Sequence, residues 1–402
     1  MIRKILVIIV LICICVIVVA CDNTTSNVVF SKVYQISPIK NNVIELYNNS
    51  KEDEDLSKYY IGIFGNCAKE VTKKINLTGT INAFSFFTIS SNDTDISVFA
   101  SKPANYVHND LLTYFGKDGL GLFKNNKLID MFGYNNGLEV RYHQNTAMFR
   151  LGLKETWSPS LVFSPYNFIT YQPESYQYLG NDTYEIKTID DIMDGPRLET
   201  RYLSMPYVDP NKTNLGGGGA LLSTLVSIAD GDTARFSNIE FANGSVRYYY
   251  INTPEVASGT TSAEPWGYVA SKFNKEFQLK DASAKTLHVQ SIPGSSIADT
   301  YSRYLGLVWI NGYLSQFLVV REGLTVAVPQ SYDSSDMGLT YKDVPYLTFL
   351  RFAEKHAKDK GWGIWGYPLN QQGEKSPDWN YTQNTNTTSN PMWTPHFPLP
   401  WL

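Results

Sequence analysis

The stretch from Ile228 to Glu255 constrains this chain more than any other. It opens Ile-Ala-Asp-Gly-Asp-Thr, turns through a short hairpin and closes Val246-Arg-Tyr-Tyr-Tyr-Ile-Asn-Thr-Pro-Glu255. An acidic turn therefore begins one strand, an Arg sits inside the partner strand, and a carboxylate follows a proline at that strand's end. Singly these are ordinary: Asp-Gly-Asp is a common turn and Thr-Pro-Glu a common helix start. Together they carry the parts of a metal-dependent phosphodiesterase site. Asp232 offers a hard oxygen ligand and the residues before Pro254 offer more; Glu255 can take a proton from water, and Arg247 can clamp a phosphate.

The segments that follow extend the pattern. Glu264-Pro-Trp-Gly-Tyr-Val-Ala-Ser-Lys-Phe is a loop leading into an amphipathic start, and Asp299-Thr-Tyr-Ser-Arg303 is a second polar turn. Then come Arg321-Glu-Gly-Leu324, a helical run from Tyr341 to Lys360, and Trp362-Gly-Ile-Trp365. In side-chain type and order, residues 220–366 resemble the staphylococcal-nuclease-like (thermonuclease) family, which has D-G-D-T, an Arg strand ending in D-T-P-E, D-x-Y-G-R and a last helix ending in I-W.

The resemblance implies an OB-type five-stranded β-barrel with helices at 266–277, near 315–322 and at 346–360. It also implies roles. Asp232, the Asn252 side chain and the Thr253 carbonyl would hold calcium, or another divalent metal. Glu255 would orient and deprotonate water, Arg247 and Arg303 would present guanidinium forks to the phosphate, and Tyr301 would contact the terminal phosphate or a base. DNA and RNA would both be cut with little sequence specificity, leaving a 3'-phosphate. Three departures stand out. Asn252 replaces Asp and loses a charge, Ser302 replaces Gly so that its turn is less free, and Val326-Ala-Val-Pro329 stands where base-stacking aromatics are common.

At the start, Met1-Ile-Arg-Lys4 is a positive flank, Ile5 to Val19 is almost wholly apolar, and Val18-Val19-Ala20-Cys21 resembles the lipobox of bacterial lipoproteins. The run is short for a membrane span. Residues 1–20 then read as a lipoprotein signal peptide and Cys21 as the lipidation site, giving an anchor in the cell membrane on its extracellular face. Of four Cys residues, Cys13 and Cys15 lie in the leader and Cys21 would be acylated, so Cys67 alone remains and no disulfide framework is available. The five His residues show no ligand spacing, which argues against zinc. A formal charge of -4 argues against a surface that binds nucleic acid everywhere by charge, and confines such contact to one groove.

Residues 21–41 are polar and read as a tether. From Asn42, apolar residues alternate with polar ones between turn signals, with a hairpin over 119–133 that turns at Lys124-Asn-Asn-Lys127, so the class is mainly β with some helix. Over 42–182 the chain resembles the lamin-tail-like domain, an Ig-like β-sandwich, on Ile44-Glu-Leu-Tyr-Asn48, Asp55-Leu-Ser57, Gly119-Leu-Gly-Leu-Phe123, Leu128-Ile-Asp-Met-Phe132, Arg150 and Leu179-Gly180. Such a domain is a spacer or a binding module. Residues 183–219 read as a linker with Gly216-Gly-Gly-Gly219 as a flexible joint, and 367–402 as an irregular Asn/Pro/Trp-rich tail that packs aromatics on the barrel or stays loose. The expected activity is a surface-anchored nuclease that scavenges nucleotides; the alternative is a catalytically weak lipoprotein that binds nucleic acid or a surface partner.

Overall fold

The computed structural model describes residues 27–92, 94–95, 104–108, 114, 116–137, 144–238, 244–366 and 393–401. The apolar leader, Cys21 and the first tether residues lie outside them. Among the described residues no helix is long and apolar enough to cross a membrane.

The N-terminal half holds two sheets. The first contains β1 (Val28–Gln35), β2 (Val43–Asn48), β5 (Phe86–Ser91), β6 (Tyr106–His108), β9 (Thr146–Arg150) and β10 (Phe168–Tyr171), in the order β10-β9-β1-β2-β5-β6. The second contains β3 (Tyr59–Phe64), β4 (Lys73–Asn76), β7 (Gly119–Lys124) and β8 (Lys127–Phe132), in the order β8-β7-β3-β4. Val33, Ile44 and Leu46 of one sheet and Ile61, Leu120 and Leu122 of the other share a single apolar cluster. The predicted hairpin is present, and Asn125 and Asn126 take the left-handed conformations its tight turn needs.

Two buried ion pairs fasten this half. Lys32 and Glu45 stand opposite each other on β1 and β2, both fully buried and in contact. Arg150 on β9 bonds Asp130 on β8 at 2.5 Å and so joins the two sheets, while Asp130 also accepts from the backbone N–H groups of Phe30 and Ser160. Burial pushes the Asp130 carboxyl up, against the pull of Arg150. These pairs explain one correction. Residues 28–35 are an inner strand and not tether, because Val28, Val29, Phe30, Val33 and Tyr34 are core residues and the one cation among them has its partner built in.

The segment 183–219 is also more ordered than its composition suggests. Tyr184, Ile186, Ile192, Tyr202 and Tyr207 are buried in one cluster that runs from Tyr34, Phe149 and Tyr171 into the second half. Gly216–Gly219 is no loose joint. A Cβ on Gly217 would lie 2.4 Å from the Pro206 carbonyl oxygen and one on Gly219 2.2 Å from that of Met205, so these glycines serve close backbone approach. The two halves are further clasped by Asp343, which accepts from Gln172, Gln177 and Tyr178.

In the second half β11 (Ala220–Ile228), β12 (Thr233–Ser237), β13 (Gly244–Tyr248), β14 (Leu287–Gln290) and β15 (Tyr304–Ile310) form a ring. β11 pairs with β12 and β14, β12 with β13, β14 with β15, and a parallel β13–β15 ladder closes the barrel. The predicted OB-type five-stranded barrel is therefore present. Three helices flank it: α1 (Gly267–Lys272), continuing as a wider turn over Phe273–Gln278, α2 (Ser315–Arg321) and α3 (Tyr346–Lys360). Leu347, Leu350, Phe352 and Ala353 bury the inner face of α3, and its outer Lys355 and Lys358 pair within the helix with Asp359 and Glu354. The described end of the tail packs back: Trp393 meets Phe273 and Phe277, and the His396 and Phe397 N–H groups donate to buried Glu322.

Candidate active site at the open end of the barrel

The turn between β11 and β12 presents Asp230, Gly231 and Asp232. Its shape is set from below, where Asn274 donates from Nδ2 to the Asp230 carbonyl at 2.9 Å. Gly231 is required here, since a Cβ would come within 2.7 Å of both the Ala270 Cβ and the Thr253 Oγ1. Asp232 is only 1 % exposed. Its carboxylate accepts from Thr233 Oγ1 at 3.1 Å and from the Thr253 N–H at 2.6 Å, and it pairs with Arg247 Nη1.

Arg247 lies on β13 opposite Thr233, which places it beside that carboxylate. Its Nη2 donates to Asn252 Oδ1 at 2.5 Å. After β13 the chain turns at Tyr250 and runs through Asn252, Thr253 and Pro254 to Glu255. Thr325 holds this run, accepting from the Asn252 N–H and donating to the Asn252 carbonyl, both at 3.0 Å. Glu255 follows, exposed, with its N–H donating to Glu264 Oε2 at 3.0 Å. α1 comes so close that a Cβ on Gly267 would sit 2.0 Å from the Glu255 carbonyl oxygen.

The second arginine arrives through the closing ladder. In the parallel register Val246 meets Tyr304 and Arg247 meets Leu305, so Arg303 enters β15 next to the Arg247 strand. Asp299 shapes its approach: Oδ1 accepts from the Tyr301 and Arg303 N–H groups at 2.9 Å, and Oδ2 accepts from Arg303 Nε at 2.7 Å. Ser302 sits at φ 59, the left-handed region a glycine would enter freely, as its replacement of Gly foreshadowed. Tyr301 is 78 % exposed at the rim, 5.5 Å from the Arg303 guanidinium carbon.

The charges are mutually felt. Burial lowers the Arg247 guanidinium and so does Arg303, against the pull of Asp230, Glu255 and Asp299. Burial and then the Asp230 carboxylate push Glu255 up, with Glu264 adding to the rise and Arg247 and Arg303 opposing it. Asp230 is itself pushed up by burial, although Arg247 and Arg303 pull it down. Every residue singled out in the barrel is thus at one end of it: Asp232, Arg247, Asn252, Thr253, Glu255, Tyr301 and Arg303. Sequence reasoning passed over Asp230, Glu264 and Asp299. The first is half of the Asp-Gly-Asp doublet, and the last stands two and four residues before the N–H groups it binds, a spacing typical of Asp in turns.

Comparison with known proteins accords with this geometry. Residues 245–367 match the model of the family described as staphylococcal nuclease homologue, over less than half of the chain. A protein of Bacillus subtilis (strain 168) named Endonuclease YncB is 30 % identical over 154 residues, 37 % of this chain and 64 % of its own length. The SPbeta prophage-derived endonuclease YokF of the same organism is 29 % identical over 145 residues, 35 % of this chain and 43 % of that protein. These matches support a staphylococcal-nuclease-like domain in the barrel half. The chain spans less than two thirds of either relative. The match to the family begins inside β13, and the acidic turn on β11 and β12 joins it only through the ring of strands.

Homology to this family supports a metal cofactor in general terms. The residues present fit one. Asp232 Oδ1 and Asn252 Oδ1 converge on the same guanidinium, so the two oxygens are close enough to share a single cation, and Asp230 adds a carboxyl that a nearby cation would favour ionised. Hard oxygen donors of this kind suit a calcium- or magnesium-like ion. Among the described residues no three His, Cys, Asp or Glu side chains gather into a metal cage.

Proposed function

We propose that this chain is a metal-dependent nuclease that hydrolyses phosphodiester bonds of DNA and RNA with low sequence specificity, anchored at the cell surface through Cys21 and scavenging nucleotides there. The observation that carries the reading is the β13–β15 ladder, which brings two guanidinium groups to the same barrel end as Asp232 and Glu255. A divalent ion, calcium in the first instance, would supply Lewis-acid polarisation of a phosphoryl oxygen when bound. Asp232, Asn252 Oδ1 and the Thr253 carbonyl would hold it.

The chain's own groups do the rest. Glu255 accepts a proton from the attacking water, a task suited to a carboxyl that burial and the Asp230 charge raise above its ordinary value. Arg247 and Arg303 present planar pairs of N–H donors to the charge that builds on the phosphate, each worth about 10²–10³ in rate when such a donor is preorganised. Asp299 positions Arg303 and Glu264 positions the Glu255 backbone. Tyr301 lies open at the rim, where a terminal phosphate or base arrives. Contacts to the backbone alone explain why either nucleic acid would serve. Both relatives are named endonucleases, which supports the reaction class.

The N-terminal pair of sheets is read as the lamin-tail-like, Ig-type sandwich, tethered by its upstream residues to a lipidated N-terminus. The deciding test is digestion of DNA and RNA in a substrate-loaded gel with calcium and with magnesium, followed by analysis of product ends. Clearing with 3'-phosphate products is expected. No clearing with either metal would leave the chain as a lipid-tethered binder of nucleic acid or of a surface partner.

A further inference from the structure

A cavity of about 480 Å³ opens on the N-terminal half, lined by Phe84, Phe86, Asn105, Lys154, Asn181 and Asp182 among others. Its size is that of a small-molecule site. The floor is rigid. Lys32 lies under Phe86 with its Nζ 4.4 Å from the ring centroid and donates to the Asn181 carbonyl at 2.8 Å, while Glu45 accepts from the Gly180 N–H at 2.5 Å. Tyr47 packs 4.8 Å from Phe86 on β2. Phe86 is therefore a fixed wall, and the buried ion pair of β1 and β2 supports the segment 179–182 that faces it.

The rim has a different character. Phe84 is 54 % exposed and is held at φ 52, a left-handed conformation that a bulky residue seldom adopts. Lys154 reaches Asp182 at 3.1 Å, and Lys187 reaches the same carboxylate oxygen at 3.9 Å, so two ammonium groups share one carboxylate beside the cavity. Asn105 uses its Oδ1 to accept from the Thr88 N–H at 2.8 Å, which turns its amide into the cavity wall.

An open aromatic face, a fixed aromatic wall, an amide and the Lys154 ammonium, which shares its carboxylate with Lys187, match one ligand chemistry: a planar base carrying a phosphate. We infer that this cavity binds a nucleotide of single-stranded nucleic acid, the base stacking on Phe84 and the phosphate meeting Lys154. Stacking on a ring accepts any base, and the cation follows the backbone, so the site captures strand without reading sequence. It rests on the nuclease reading only for the identity of the polymer, and would give the chain a second hold on its substrate away from the barrel.

The test uses the full chain with metal chelated, so that capture is read without cleavage. Anisotropy of a fluorescein-labelled oligothymidylate gives the affinity, and an oligonucleotide carrying 5-iododeoxyuridine is photo-cross-linked and mapped to peptides. Phe84→Ala and Lys154→Gln are each expected to weaken binding by about tenfold, Phe84→Trp to keep it, and the cross-link to fall on the peptide holding Phe84. The inference is overturned if both substitutions leave affinity unchanged, if an abasic strand binds as well as the thymidine one, or if cross-links map to the barrel alone. Because Phe84 and Lys154 stand at the surface, loss of fold does not cloud the result. A wild-type chain that captures strand but clears no substrate gel sinks the nuclease reading and leaves this one standing.

Discussion

The two halves of the molecule handle charge in opposite ways. In the N-terminal half Lys32–Glu45 and Arg150–Asp130 are buried, and backbone or hydroxyl groups complete the hydrogen bonds of each carboxylate. At the barrel end, two arginines, Asp230, Asp232 and Glu255 crowd together and like charges act on one another: Arg303 lowers the Arg247 guanidinium and Asp230 raises the Glu255 carboxyl. A closed pair holds a fold, whereas an open set that leaves charge unbalanced is prepared for a ligand that carries the missing part.

That contrast can be broken at either end. Glu255→Gln should cut kcat by about 10²–10⁴-fold while leaving Tm within a degree or so of wild type, because it removes only a proton acceptor from an exposed position. Arg150→Ala should do the reverse. It strands Asp130 in the core and should cost about 3–5 kcal/mol in denaturant unfolding, with activity per folded molecule unchanged. If Glu255→Gln proved the destabilising one, the division between the halves would be wrong.

Two smaller effects sharpen the comparison. Asn252→Asp adds a carboxylate facing Arg247 and the Asp232 carboxylate, and should lower the divalent-ion concentration for half-maximal activity by roughly an order of magnitude; an unchanged requirement would remove Asn252 from the ligand set. Glu264→Gln concerns pH. With Glu255 as the proposed base, activity should fall as pH drops through its raised pKa. Removing the Glu264 charge takes away one of the causes of that rise, and the acid limb of the kcat/KM profile should move to lower pH. A limb that stays in place would mean that Glu255 is not the group being titrated.

Much of the barrel was legible in the chain, since Arg247, Pro254-Glu255 and Asp299-Thr-Tyr-Ser-Arg303 lie on strand ends and turns whose local chemistry fixes where they point. The closure was implied by the family resemblance and not by the local chemistry of the chain. β13 and β15 are far apart in sequence and pair in parallel, so only the assembled ring reveals that Arg303 stands beside Arg247. Strand β1 was hidden by the polar Asn and Ser residues around it, and by Lys32, whose partner comes from the next strand. Four consecutive glycines suggested slack, yet here they let backbone approach backbone, a use that depends on Met205 and Pro206 being across the way. Asp230 was overshadowed by its neighbour two residues on, because a doublet of carboxylates does not say which member faces inward.

The shared cluster from Tyr34 through Tyr202 to the barrel has a practical meaning for handling the protein. A protease added to the folded chain will find no seam at Gly216–Gly219, and a clone beginning at Ala220 would lay bare the aromatic residues that the upstream segment normally covers. Anyone seeking the barrel alone should expect inclusion bodies, and should keep the chain from Val28 onward.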